Sequence, residues 1–146
     1  MTKLFKIFSS HDEVEQYIYF TENFKGEDYR VEELKIDGTK LNAKLSVKSS
    51  SEFNVSMLLL DRMIQSLGFV VLQYIRLQQK KPMCFLFVRR MEWHFSGPIR
   101  PSKPLLISAA HHCSLEQSRK EQFEFQGNVN NRAFFSVSID AINPSK

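Results

Sequence analysis

The sequence predicts one α+β domain in which an antiparallel sheet wraps around a single long helix. Two patterns and the chain length support this reading. Between Val55 and Gln79 apolar residues cover most of a helix's circumference instead of one stripe, the mark of a buried helix. After Pro82 the sequence turns to runs rich in β-branched and aromatic residues, partly alternating and separated by breakers. The chain has 146 residues, 42% of them hydrophobic and 13 of them phenylalanine, which suits one domain, residues 1–146, with an aromatic core.

Taken in order, residues 1–28 read as a short helical or irregular extension. Within it the run from Ser9 to Phe20 begins with a capping serine followed by acidic residues, the start of a short helix. Tyr29 to Ile36 and Leu41 to Lys48 alternate around Asp37-Gly38, the strongest short-range hairpin signal. Serines 49 to 51 end the hairpin. Asn54 is placed to cap a helix from Val55 to Gln79, about 25 residues or ~37 Å long. Four strands are then expected over Met83–Phe95, Pro104–Leu115, Lys120–Val129 and Arg132–Ile142. A sheet of five or six antiparallel strands has a concave face that one apolar helix can fill, which is the hotdog architecture. A single sheet covers only part of such a helix, so a dimer is expected.

Composition excludes several function classes. The net charge is +4 and the pI about 9.1, yet the basic residues are scattered, with Lys80-Lys81 and Arg89-Arg90 as the only doublets. No dense basic stripe suggests a nucleic-acid partner. Cys84 and Cys113 stand far apart without a CxxC, and the N-terminus meets charge within a few residues, so a reduced, cytoplasmic setting is expected. Asp61, Arg62, Gln65, Gln73 and Arg76 interrupt the longest apolar run, which argues against a membrane span. His111 and Cys113 fall on one strand face, but two ligands do not make a metal site, and a Cys113 nucleophile needs an electropositive setting the sequence does not announce. The five glycines are spread singly, so no phosphate loop and no cofactor are implied.

Asp61 is the residue that fits its surroundings least. Aspartate is rarely buried unless paired, and a carboxyl group among apolar neighbours suits a general acid at neutral pH. The competing explanations are an ion pair, for example with Arg89, or emergence at a wet edge of the helix. Gln65, one turn on, shares its face and is placed to hydrogen-bond the carboxyl group. Gly68 continues the stripe, where a missing side chain leaves space for an acyl chain or a close backbone.

"LLLDRMIQSLGF", Leu58 to Phe69, resembles the central-helix signature of the 3-hydroxyacyl-acyl-carrier-protein dehydratases, and is closer to the FabA-type branch, with aspartate where the FabZ-type has glutamate. "WHFSGPIRP", Trp93 to Pro101, resembles the segment that joins two strands in the same family. The resemblance implies a substrate, a 3-hydroxyacyl thioester on acyl carrier protein in fatty-acid or polyketide and polyene biosynthesis. It also implies roles: Asp61 as general acid with Gln65 in support, and Gly68, Phe95 and Gly97 along the substrate. In that family a histidine from the other protomer removes the C2 proton.

That histidine is missing. The resemblance places it near Val47, in a loop that is shortened here, and Leu45 to Met57 contains none. One route is a partner hotdog subunit that supplies the histidine, in a homodimer or heterodimer; the other is a local histidine, His94, His111 or His112. Two further readings keep Asp61 in a different setting. One is acyl-thioester hydrolysis by a hotdog thioesterase; the other is a non-catalytic hotdog subunit that binds a carrier or stabilises a partner. Lys80, Lys81, Arg89, Arg90, Arg100 and Lys103 are the cations available to an acidic carrier protein, or else a solvated face.

Overall fold

The computed structural model of the chain describes residues 4–16, 29–48, 54–81, 85–100, 103–115 and 120–142. In order these form β1 (Phe5–Phe8), α1 (His11–Glu15), β2 (Tyr29–Asp37), β3 (Lys40–Val47), α2 (Met57–Gln78), β4 (Phe85–Phe95), β5 (Leu105–Leu115), β6 (Lys120–Val129) and β7 (Ala133–Ile142). All seven strands lie in one sheet in the order β1-β2-β3-β5-β6-β7-β4, every neighbouring pair antiparallel. The long helix and the sheet wrapped around it make the hotdog architecture.

The sheet has seven strands where five or six were expected. The extra one is β1, whose four residues pair with the far end of β2, Phe5 opposite Asp37 and Phe8 opposite Leu34. The predicted N-terminal helix is short: Ser10 caps it, it spans His11–Glu15, and the expected stretch beyond Gln16 lies outside the described residues. The hairpin forms as expected, with Gly38 at φ 64° in the turn, a conformation that favours glycine.

The helix begins two residues later than expected. Ser56 is its cap, its Oγ accepting from the Leu59 N–H at 3.2 Å. Asn54 instead holds the chain that follows β4. Its Oδ1 accepts from the Ile99 N–H at 2.9 Å, and the Val55 N–H donates to the Ile99 carbonyl at 2.7 Å. These bonds tie the β4–β5 connection to the start of the helix.

Burial explains the helix's composition. Leu60, Met63, Ile64, Val70 and Val71 are fully buried, facing a sheet that contributes Leu34, Ile36, Leu41, Leu45, Phe123, Phe125, Val137 and Ile139. Among the described residues α2 is long and apolar enough to cross a membrane, but most of it is buried within the fold, as a core helix is. Gly68 marks a close approach to the sheet, because a Cβ there would stand 2.9 Å from Ile139 Cδ1 and 3.4 Å from Phe125 Cδ1. Ser66 accepts a hydrogen bond at 2.9 Å from the hydroxyl of Tyr29, which secures the helix to β2.

Candidate functional site

Asp61 and Gln65, one helical turn apart, both lean toward β4. The Trp93 indole Nε1–H donates to Asp61 Oδ1 at 2.5 Å, and Gln65 Nε2 donates to Met91 Sδ at 3.6 Å. Neither residue is fully buried. The predicted bond between Gln65 and the Asp61 carboxyl group is not formed; each has its own partner on the strand. Asp61 Oδ2 accepts no hydrogen bond among the described residues.

The sequence of β4 produces this arrangement by alternation. Met91, Trp93 and Phe95 point to the helix side of the sheet, while Arg90, Glu92 and His94 point outward. Trp93 stacks on Phe95 with ring centroids 5.5 Å apart and planes 14° apart, and meets Phe135 of β7 at 5.6 Å. β4 is one edge of the sheet, paired among the described residues with β7 alone. The carboxyl group therefore sits where helix and sheet open at an edge, bordered by apolar side chains left in solvent: Leu58 is 77% exposed and Phe95 41%.

No histidine of the chain shares this site. His94 follows Trp93 and so lies on the opposite face of the sheet; His112 lies outward as well. His111 points inward, but its cross-strand row runs from Met91 through Val137 and Phe125, three strand spacings or ~14 Å from β4. There it stacks on Phe123 at 5.7 Å, and burial, with a smaller push from His112, lowers its pKa against the raising effect of a backbone hydrogen bond at Gly38. His11, the fourth, is buried and its Nδ1 accepts from the Val31 N–H at 2.9 Å. Strand parity thus places His94 on the face of β4 turned away from Asp61 of the same chain.

The remaining expected site residues separate. Phe95 adjoins Trp93 at the site. Gly68 lies in the helix–sheet contact, its space filled by Ile139 and Phe125. Gly97 is crossed by the Arg132 guanidinium, whose Nη1 lies 2.7 Å from where a Cβ would stand. The six cations do not form one patch. Lys81 pairs with Glu121 at 3.1 Å beside Arg76, near Lys80 at the end of α2. Arg89 spans Asp140 and Glu124, each at 3.7 Å, and Arg90 bonds Glu92. Arg100 and Lys103 lie in the β4–β5 connection. Cys84 and the side chain of Cys113 fall outside the described residues, and among those described no group of three metal-binding side chains occurs.

With this geometry in hand, comparison with known proteins gives a likeness of fold. No protein-family model and no curated protein matches the sequence. A solved structure of an HP0420 homologue from Helicobacter felis aligns at 14% identity over 74% of each chain with a TM-score of 0.50. At that identity the likeness shows the fold alone. Weaker alignments are Cj0977, a sigma28-regulated virulence protein from Campylobacter jejuni (15% identity, 93% and 91% coverage, TM-score 0.48), and the candidate thioesterase yhdA from Lactococcus lactis (13%, 95% and 92%, 0.47).

Sequence reading missed Trp93 as a functional residue. The available signal was that the chain's only tryptophan opens the "WHFSGPIRP" segment, and an indole near a half-buried acid has a donor to give.

Proposed function

We propose that this chain is a hotdog subunit acting on 3-hydroxyacyl thioesters carried by acyl carrier protein, with Asp61 as general acid in a site completed by a histidine from a partner subunit. One observation carries the reading: Trp93 occupies Oδ1 and fixes the carboxyl group at the open edge of helix and sheet, leaving Oδ2 for a substrate oxygen. The partner's histidine would take the C2 proton while the C2–C3 double bond forms. The C3–O bond breaks, and the hydroxyl leaves as water with the proton of Asp61. Lack of a histidine near Asp61 within one chain supports a second subunit, and the exposed Leu58 and Phe95 beside the unpaired β4 edge offer it a surface.

The test is formation of a 2-enoyl thioester by the protein as isolated with its natural partner, with Asp61→Asn inactive. A homodimer fully active after replacement of His94, His111 and His112 would sink the proposal. Thioester hydrolysis is the second reading, favoured by the same lack of a nearby histidine, since Oδ2 can hold and activate a water. Thiol release from an acyl thioester by the purified chain, lost in Asp61→Asn, would select it. A chain that does neither while still binding its partner would be a non-catalytic subunit.

A further inference from the structure

We propose that the outer face of the sheet carries a binding site for an organic phosphate of nucleotide size, separate from Asp61 and independent of what Asp61 does. A groove of about 1040 Å³ lies there, just above the roughly 300–1,000 Å³ range of small-molecule pockets. Four cations line it from three parts of the chain: Lys44 from β3, Arg100 and Lys103 from the β4–β5 connection, and Arg132 from the β6–β7 turn. The lining includes one carboxylate, Glu33. Lys44 also approaches Glu32 at 3.8 Å, but Arg100, Lys103 and Arg132 form no ion pair among the described residues. Elsewhere on the molecule Lys81, Arg89 and Arg90 are each paired with a carboxylate. Convergent, unneutralised cations make a site for an anion, and guanidinium groups suit phosphate oxygens in particular.

The floor points to more than phosphate. Asn42, Ser108 and Asn128 stand directly opposite one another across β3, β5 and β6, so short polar side chains leave the sheet surface low. The Asn42 amide and the Asn128 Nδ2 have no partner among the described residues, which leaves donors for a polar ligand body. The rim is fixed. Asn130 and Asn131, at φ 53° and 57°, make the two-residue turn that asparagine favours. Asn130 Oδ1 accepts from Leu106 N–H at 2.6 Å, and Asn131 N–H donates to Asn128 Oδ1 at 2.9 Å. On the other side Pro98 and Arg100 face the groove while Ile99, fully buried between them, is bonded to Asn54. These bonds hold the turn and Ile99 in place on two sides of the groove.

The test is isothermal titration calorimetry of the full chain with sodium pyrophosphate and with ADP at low salt. Both should bind, ADP more tightly. Arg100→Gln with Lys103→Gln should weaken both at least tenfold at an unchanged melting temperature. Asn42→Ala should weaken ADP and spare pyrophosphate, and Lys80→Gln, at the far end of α2, should change neither. Asp61→Asn should leave binding intact, so the site stands or falls apart from the proposed chemistry. Three results would overturn the proposal: no binding of either probe, equal loss in Lys80→Gln and the double variant, or binding of an oligoglutamate peptide without pyrophosphate, which would assign the groove to an acidic protein.

Discussion

The bond between Trp93 and Asp61 is the link between helix and edge strand, and its energy is measurable by a double-mutant cycle. Trp93→Phe removes the indole donor while a ring remains to stack on Phe95 and Phe135. Asp61→Ala removes the acceptor. A hydrogen bond contributes about 0.5–1.5 kcal/mol, rising to about 1.5–3 kcal/mol where one partner is charged. Asp61 and Trp93 are both partly exposed, and solvent screening brings the coupling to about 1–1.5 kcal/mol. Each single variant should lower the melting temperature by roughly 2–5 °C, at 2–4 °C per kcal/mol for a chain near this size. The double variant should be less destabilised than the sum. Urea unfolding followed by far-ultraviolet circular dichroism serves all four proteins, since Trp93→Phe removes the only tryptophan. A coupling below about 0.3 kcal/mol, within the error of additivity, would refute the bond as a tie between helix and strand.

Other perturbations have equally definite outcomes. Gly127→Ala would bring a Cβ to 2.1 Å from the Ser108 carbonyl oxygen and 2.6 Å from Ala109 Cα, backbone that cannot rotate away. It should cost at least about 3 kcal/mol in urea unfolding by parting β5 from β6. Glu121→Ala removes the carboxylate that pairs with the buried Arg76 and should cost about 3 kcal/mol; Arg76→Met with Glu121→Leu should recover most of that. His111, whose folded pKa is lowered by burial, gives a pH dependence of fixed sign. Its contribution is fully present above the unfolded value of 6.5 and is lost as pH falls toward the folded value, because the unfolded chain takes up the proton first. His111→Leu should flatten the stability profile as pH falls below about 7.5, roughly one unit above the unfolded His value.

Much of this fold was legible because its signals are local. The Asp-Gly hairpin, the all-round apolar helix and the alternating runs after Pro82 each announce an element within a dozen or so residues. β1 escaped because Phe5–Phe8 is too short for its alternation to be told from chance; only its pairing with β2 makes it a strand. The helix start differed because Asn54 and Ser56 are both capping residues, and the choice was made by Ile99, a residue 45 positions away from Asn54. The same limit applies to the site. Asp61 was conspicuous in an apolar run, but Trp93 lies 32 positions on, and its parity on β4 could be fixed only with the bulge between Val88 and Arg90 in place. The outer groove was less legible still, because its cations come from three separate parts of the chain.

The position of β4 has a consequence for how the molecule is made. This strand follows the helix in sequence, yet its strand neighbour among the described residues is β7, which ends at Ile142. During synthesis β4 must wait until β7 has been made before it can form this pairing. Until then an 11-residue segment bearing Phe87, Trp93 and Phe95 is without its neighbour. Long-range pairing of this kind is slow and leaves the nascent chain open to aggregation. The Asp61 site is accordingly one of the last features to form, so a ribosome-bound chain truncated before Ala133 would hold every residue of the site and none of its geometry.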